Sequence, residues 1–190
     1  MGFQNSIRVS RERIGVIIGK KGKVKNEIEK KCKVNLEIDS DYGDVVISPI
    51  ENYDFVNIAK ANEIIIAISK GFPPEKAFTL LEEDMIFQLL DLRDYSGKST
   101  NSLGRIKSRI IGENGKARKT IEELTGTQIS IYGHTVGIIG KSEEVKSTID
   151  ALNMLCKGNS HKFVYNFLQE LRRKAKIERL NLWEGNSFVK

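Results

Sequence analysis

The sequence has few of the residue types that build covalent, metal or catalytic sites. Among its 190 residues are two cysteines, Cys32 and Cys156, which exclude a disulfide framework and a CxxC zinc motif. We expect both to be buried thiols in a reducing cytoplasm. The two histidines, His134 and His161, are too few for a histidine metal site, and no nucleophile–base pair stands out near either of them. The sequence therefore predicts no enzyme, no metal and no cofactor.

Long apolar segments are also missing. The longest unbroken apolar run spans residues 64–68, far below the roughly 20 residues of a membrane helix. Residues 1–6 lack the basic and apolar stretches of a signal peptide. Isoleucine occurs 24 times and recurs along nearly the whole chain, which excludes a fully disordered protein. We expect a folded cytoplasmic protein of one domain or two small ones, with no membrane partner.

Positive charge exceeds negative charge, and the charge is unevenly distributed along the chain. The formal net charge is +6, but residues 8–33 carry +7 and residues 105–119 carry +5. Residues 37–98 carry −8, and residues 162–179 return to +4. Such segregation is typical of a surface that binds a polyanion. The acidic stretch is then left for protein partners or solvent.

The two basic segments contain the same motif. Residues 17–22 have the sequence IIGKKG and residues 110–115 have the sequence IIGENG, at an offset of 93. The same offset aligns Ile28 with Ile121, and an offset of 87 later aligns Gly71 with Gly158. A repeat of this length, with an insertion in a loop, predicts the duplication of one small domain that can fold around its own core.

The spacing of apolar residues predicts the element order β-α-α-β-β-α in each copy. In the first copy the predicted elements are residues 4–10, 11–18, 23–31, 34–38, 44–48 and 54–69. In the second copy they are residues 85–92, 103–111, 117–124, 128–132, 135–140 and 143–157, with a polar loop at 95–102. A connector helix is predicted at residues 74–82, and a C-terminal helix at residues 161–176.

These elements predict an α+β protein with two tandem domains of the same fold and a C-terminal helix. We assign the first domain to residues 1–72, a connector to residues 73–84 and the second domain to residues 85–158. The C-terminal helix and tail then occupy residues 159–190.

The two glycine loops are candidate phosphate-binding sites. Two glycines allow the main chain to approach a phosphate without an intervening Cβ, and each loop opens onto a helix N-terminus that favours an anion. Neighbouring Lys and Arg side chains add attraction that weakens with salt. The candidate residues are Gly19, Lys20, Lys21, Gly22, Lys23 and Lys25 around the first loop, and Arg109, Gly112, Glu113, Asn114, Gly115, Lys116, Arg118 and Lys119 around the second. The alternative is a helix cap without a ligand.

The second loop has a different chemistry from the first. It places Glu113 and Asn114 where the first loop has two lysines, so on its own it should bind phosphate poorly. The cations on either side of it are expected to compensate. The alternative hypothesis is that the second copy has become a structural or protein-binding domain.

Several segments of the second copy are more specific than the loop itself. They are LDLRDY at 90–95, LGRIKSRIIG at 103–112, IEELTG at 121–126, YGHTV at 132–136 and VYNFL at 164–168. With these segments the chain, over residues 4–175, resembles the archaeal two-KH proteins related to the eukaryotic partner of the Nob endonuclease, a small-subunit ribosome assembly factor. Eukaryotic members carry a long N-terminal extension that this sequence lacks, which favours an archaeal source.

The resemblance implies type I KH domains that bind single-stranded precursor rRNA near the 3′ end of the small-subunit RNA. It also implies that bases lie against the middle strand of each domain, near Leu36 and Ile38 and near Ile129 and Ile131. A Nob-type endonuclease or a translation or assembly factor is the implied protein partner. Two other hypotheses remain: a scaffold that uses KH folds to dock proteins, and a KH adaptor for messenger or other RNAs.

Overall fold

The computed structural model describes residues 5–50, 55–97 and 100–185, and within them the two copies form two similar halves. The elements of the first half are β1 Asn5–Arg8, α1 Arg11–Ile18, α2 Lys23–Cys32, β2 Val34–Ile38, β3 Asp44–Pro49 and α3 Phe55–Ser69. A short helix, α4 Pro74–Ala77, and a 3-10 turn, Phe78–Leu81, then lead to the second half.

The second half repeats the order and adds two helices. Its elements are β4 Met85–Asp91, α5 Arg93–Ser96, α6 Thr100–Ile111, α7 Lys116–Thr125, β5 Gln128–Tyr132, β6 Thr135–Lys141, α8 Ser142–Cys156 and α9 His161–Gly185. The element order predicted for both copies is confirmed. The predicted helix end at residue 176 is wrong, because α9 continues to Gly185.

The loop predicted at residues 95–102 is also wrong where the structure describes it. Arg93–Ser96 forms a helical turn, and α6 already begins at Thr100. Serine, threonine and asparagine are typical both of loops and of the first turn of a helix, so composition did not separate the two. Residues 98 and 99 of this predicted loop, and the predicted element starts at residues 4 and 54, lie outside the described residues.

Each half contains a three-stranded antiparallel sheet with its third strand in the centre. The strand orders are β1-β3-β2 and β4-β6-β5. In the first sheet, Val45 of β3 pairs with Ile7 and Ile38, so alternate side chains of the three strands face the same side. Val45 and Ile47 are fully buried on that side, under the helices of the same half. Each half thus covers one face of its own sheet with its own helices.

The other face of the second sheet is covered by the first half. Strand β6 is buried from Thr135 to Gly140, and Ile139 belongs to the core of the first half. The ring of Phe72, which follows α3, lies against Gly137 and meets Phe87 edge to face with 6.2 Å between ring centroids. The two halves therefore share one continuous apolar contact.

The corresponding face of the first sheet is polar. Across its centre, Val46 lies between Ser6 and Glu37, whereas in the second sheet Ile139 lies between Phe87 and Gln128. Ser6 and Glu37 are exposed. A polar face of this kind is suited to solvent rather than to burial against an apolar surface.

The connector is packed into the first half. Ala77 and Leu80 are fully buried in its core, and the Lys60 ammonium group donates to the Leu80 carbonyl oxygen at 2.8 Å. At the offset of 87, α4 aligns with the start of α9, and buried Ala77 aligns with buried Val164. The connector is therefore a shortened counterpart of the C-terminal helix. The domain boundaries assigned above stay a prediction.

The contact at Gly137 generates a stability prediction. A Cβ built on Gly137 would lie 2.7 Å from Cε2 of Phe72 and 3.2 Å from Cε2 of Phe87. Gly137→Ala must therefore displace two rings that join the halves, and we expect it to lower the free energy of unfolding by about 1–3 kcal/mol. Equilibrium unfolding in urea, followed by circular dichroism, measures this change.

Gly104→Ala is the matched control. Gly104 lies in α6, and a Cβ there meets no described heavy atom within 4 Å. Alanine should raise the free energy of unfolding by about 0.5–1 kcal/mol, because it restricts the unfolded chain and favours the helix. An unchanged urea midpoint for Gly137→Ala would show that the two rings do not constrain this position.

Candidate nucleic-acid interface

The two glycine loops have almost the same backbone conformation. Gly19 has φ 71° and ψ 173°, and Gly112 has φ 70° and ψ 179°. At the third loop position, Lys21 and Asn114 have left-handed φ values of 54° and 51°, and the closing glycines have φ values of 75° and 76°. The conformation is thus the same although the two middle side chains differ in charge.

The first position of each loop must be glycine because the first turn of the following helix lies very close to it. A Cβ on Gly19 would lie 2.5 Å from Cγ2 of Val24, and a Cβ on Gly112 would lie 2.5 Å from Cβ of Ala117. Each of these neighbours lies in the first turn of the helix that follows the loop. The loop is therefore folded tightly onto a helix N-terminus, with only hydrogen atoms between the two backbones.

Both helices after the loops begin without a side-chain cap. Neither the Gly22 position before α2 nor the Gly115 position before α7 has a side-chain capping bond, and neither first turn contains an acidic residue. The first N–H groups of a helix have no partner within the helix, and its dipole places partial positive charge there. The first helical N–H groups, those of Lys23 and Lys116, donate to the loop carbonyls of Lys20 and Glu113. Each loop thus leads into a helix N-terminus that has no side-chain cap and carries partial positive charge, an arrangement suited to a phosphate.

The side chains closest in sequence to these donors differ between the halves. Lys20, Lys21 and Lys23 are exposed, and none of them forms an ion pair with a described residue. In the second half Glu113 and Asn114 are exposed within the loop, and the exposed cations Lys116 and Lys119 follow it. The first loop therefore concentrates positive charge at the donors, whereas the second carries a carboxylate there.

Two other predicted cations, Lys25 and Arg118, have an internal partner. Lys25 Nζ lies 3.7 Å from a carboxylate oxygen of Glu29, and Arg118 Nε lies 3.7 Å from one of Glu122. Each glutamate also accepts the backbone N–H of the strand residue seven positions later, at 2.9 Å and 2.7 Å. In both halves a cation, a glutamate and a strand N–H group thus join the helix after the loop to the neighbouring strand. The charges of Lys25 and Arg118 are partly neutralised by these glutamates.

The Arg109 guanidinium is hydrogen-bonded within the second half, and its contact with RNA stays a prediction. Its Nε donates to the Leu155 carbonyl oxygen at 3.3 Å, and its Nη2 donates to the Asn159 carbonyl oxygen at 2.6 Å. The last carbonyls of a helix need such partners, and α8 ends here. The backbone carbonyl oxygen of Arg109 is in turn 2.8 Å from Nε2 of His161. Arg109 is a structural cap between α6, α8 and α9.

Arg13 forms the equivalent cap in the first half. Its Nε and Nη2 donate to the Ile68 carbonyl oxygen at 2.9 and 2.7 Å, and its Nη2 also donates to the Phe72 carbonyl oxygen at 3.0 Å. At the offset of 93, however, Arg109 aligns with Val16, which lies three residues after Arg13. The two halves therefore cap the same helix end from positions one helical turn apart.

The predicted base positions divide into two classes. Leu36 and Ile129 are only 1% and 3% exposed and lie in the two cores. Their predicted place beside the bases stays a prediction. Alternation along a strand directs these side chains under the helices. Ile38 and Ile131 are half-buried and retain exposed surface. Their contact with bases stays a prediction.

The two cysteine thiols are poor nucleophiles at neutral pH. Burial raises the pKa of Cys32 and of Cys156 to about 11, so both remain protonated thiols at neutral pH. Cys32 is buried as expected, but Cys156 is only half-buried.

Over the described ranges no three His, Cys, Asp or Glu side chains converge on a metal position. In the same ranges no helix is long and apolar enough to span a membrane.

A polar contact between the halves was missed from the sequence. Ser130 Oγ donates to the Lys70 carbonyl oxygen at 3.0 Å, and the Tyr132 hydroxyl donates to a Glu12 carboxylate oxygen at 3.3 Å. The hydroxyl of Ser10 lies 3.2 Å from that of Tyr132. We call this contact the seam: residues 10–12, 70 and 71 of the first half with Ser130 and Tyr132 of the second. Its only signal in the sequence is that Ser130 and Tyr132 alternate with buried positions.

Two family models match the chain in sequence order. Residues 4–69 match the KH domain, and residues 86–173 match a model described as "Eukaryotic type KH-domain (KH-domain type I)". Together these matches confirm the prediction of two type I KH domains within an α+β fold. They leave the connector and the last part of α9 outside either match.

Relatives of this chain occur in archaea and in eukaryotes. A KH domain-containing protein of Methanocaldococcus jannaschii is 42% identical over 96% of this chain and 80% of its own length. The pre-rRNA-processing protein PNO1 of Chaetomium thermophilum is 29% identical over 60% of this chain and 45% of its own length. The chain spans about half the length of the first eukaryotic relatives that it matches.

A solved structure is similar over nearly the whole fold. It is a complex of a/eIF2alpha, aDim2p and rRNA from Pyrococcus horikoshii, with a TM-score of 0.85 and 37% identity, covering 90% of this chain and 95% of that one. The duplicated loops, the two domain matches and this similarity agree with one another. The chain therefore belongs to the archaeal KH-domain proteins that are homologous to PNO1 and Dim2p.

Proposed function

We propose that this protein binds single-stranded precursor rRNA of the small ribosomal subunit and acts in rRNA processing and ribosome biogenesis. The observation that carries the proposal is the repeated loop, in which a helix N-terminus without a side-chain cap follows two glycines, the first of them in close contact with that helix. The named roles of the PNO1 relatives and the rRNA in the Pyrococcus horikoshii complex support the class of ligand.

The first loop is the stronger phosphate site in this mechanism. KH loops clamp about four nucleotides of backbone, so the donors of α2 receive a phosphate while Lys20 and Lys21 neutralise its charge. These contacts are independent of base identity. Sequence preference then comes from bases placed on the exposed part of Ile38 and its neighbours.

The second loop contributes through its backbone and flanks. Its conformation is the same, but Glu113 repels a phosphate at the position of Lys20. Lys116 and Lys119, both exposed, offset that repulsion from the following helix. We propose a weaker phosphate clamp there, rather than a domain that has lost RNA binding.

Protein partners are the second part of the proposal. The Pyrococcus horikoshii complex contains a/eIF2alpha together with rRNA, which supports a translation factor as a partner of this chain. A Nob-type endonuclease is proposed on the family resemblance alone. The exposed acidic residues Glu82, Glu83 and Asp84 lie apart from the basic loops in sequence and offer a surface of opposite charge. In these assemblies the chain is an RNA-binding component in the cytoplasm, and the endonuclease, where it is the partner, is the catalyst.

Reversal of charge at the first loop tests the phosphate clamp. Lys20→Asp with Lys21→Asp removes two cations and adds two anions beside the donors, and aspartate tolerates the left-handed conformation at position 21. We expect the affinity for RNA to fall roughly 10- to 100-fold at low salt. Fluorescence polarisation with an unstructured RNA of about 20 nucleotides from the small-subunit rRNA 3′ end measures it.

The matched control is Lys76→Asp with Lys146→Asp, which changes the charge equally at two exposed positions outside the loops. Both double variants should unfold within about 0.5 kcal/mol of the parent, as surface substitutions usually do. If the loop variant bound RNA as tightly as the control variant, the first loop would not be the clamp.

A substitution in the second loop should increase the affinity for RNA instead of lowering it. Glu113→Lys replaces an exposed carboxylate with a cation at the position of Lys20, and we expect it to raise RNA affinity about fivefold at low salt. The gain should shrink at high salt because it is electrostatic. Polarisation titrations of the same RNA at several salt concentrations measure it. An affinity that does not change at any salt concentration would place the second loop away from the RNA.

A further inference from the structure

Strand β4 forms an open edge of the second sheet. It pairs with β6 along its whole length, and no other described strand lies on its opposite side. An edge strand directs the N–H and C=O groups of alternate residues away from its sheet, where another strand can bind them. The side chains here are exposed as well: Ile86 and Leu89 are each 37% exposed, and Gln88 is exposed. The edge is therefore accessible from outside the fold.

The corresponding edge of the first sheet is protected against pairing. Proteins limit pairing at sheet edges with short strands and charged side chains. Strand β1 has only four residues and exposes Ser6 and Arg8. Strand β4 has seven residues and contains no charged residue and no proline from Met85 to Leu90. An accessible apolar edge of this length is typical of a strand that pairs with a strand of another chain.

The sequence of β4 is complementary to itself. In an antiparallel pair of two β4 strands centred on Gln88, Ile86 lies opposite Leu90 of the second copy, and Phe87 lies opposite Leu89. Residues directly opposite each other in such a pair lie on the same face of the sheet and contact each other. Both faces of the joined strands thus gain apolar contacts, which favours a second copy of this chain as the partner.

The charges on either side of β4 fit the same arrangement. The exposed acidic residues 82–84 precede the strand, and the exposed Arg93 follows it. Antiparallel pairing therefore brings the acidic end of each strand to the Arg93 end of the other. Asp84 Oδ2 is 3.7 Å from Lys141 Nζ, and Arg93 Nη2 is 2.6 Å from Asp91 Oδ2. The carboxylates at positions 82 and 83 form no ion pair with any residue in the described ranges.

We propose that two copies of this chain associate through β4, in antiparallel register about a two-fold axis at Gln88. The two three-stranded sheets then join into one sheet of six strands, and each copy contributes the same surface. Two strands of this length bury less than the roughly 1,600 Å² of a standard interface, so the dimer is reversible. The inference does not depend on the proposed RNA function, since β4 lies outside both glycine loops.

Charge substitutions at Gln88 test the surface and the register together. In this dimer Gln88 lies opposite its own copy, so Gln88→Lys places two cations there and Gln88→Glu places two anions. Each variant alone should self-associate roughly fivefold more weakly than the parent, because like charges directly opposite each other repel. An equimolar mixture should associate at least as tightly as the parent, because it pairs lysine with glutamate. Sedimentation equilibrium of the full chain from about 5 to about 500 μM measures the dissociation constants.

The matched controls are Gln169→Lys and Gln169→Glu, which change an exposed glutamine in α9 rather than in a strand. They should self-associate like the parent, and circular dichroism should show the same thermal unfolding for all four variants. A parent that stays monomeric at every concentration would overturn the proposal and leave the edge for an extended segment of another protein. Gln88 variants that associate like the controls would also overturn it. Weakened association that the mixture does not restore would exclude the two-fold axis at Gln88.

Discussion

The contact between Phe72 and Gly137 is the constraint on which the rest of this structure depends. A glycine in the centre of strand β6 leaves the outer face of the second sheet open to a ring from the first half. Phe87 and Ile139 complete the apolar surface around that ring. The central strand β6 is therefore buried on both faces, and the two loops, which lie on separate halves, keep one relative position.

The same contact explains why the duplicated copies have diverged where they have. The covered sheet needs apolar side chains on its outer face, whereas the first sheet, with Ser6 and Glu37 at the same strand positions, faces solvent. The connector α4 stops after one turn so that the chain can enter β4, whereas its counterpart α9 continues to Gly185. Divergence thus follows from the position of each copy in the tandem.

The sequence alone predicted most of the fold and the loop positions. The glycine motif, the offset of 93 and the alternation of the strands are local patterns, and local patterns determine element order. The need for glycine at the first loop position is also local, since a Cβ on Gly19 would collide with Val24 five residues later. Features that depend on residues within about ten positions of one another could therefore be predicted from the sequence.

The parts that sequence reasoning missed depend on contacts between distant residues. Arg109 was assigned to RNA because it lies in a basic segment, but its partners Leu155 and Asn159 are about 50 positions away. Leu36 was assigned to bases because its strand borders the groove, but the direction of its side chain depends on which face the helices cover. Tyr132 was not selected at all, because its partner Glu12 is 120 positions earlier.

The two arginine caps show how much of the basic charge serves the fold. Arg13 and Arg109 both lie in helices that lead into a glycine loop, and they donate to carbonyl oxygens at the C-terminal ends of α3 and α8. Their N–H groups are used by the fold, whereas Lys20, Lys21 and Lys23 beside the first loop are exposed and form no ion pair with a described residue. The two loops have nearly the same backbone conformation but different side-chain charges. The backbone thus provides the same geometry for a phosphate in both halves, and the side chains determine how strongly each loop attracts it.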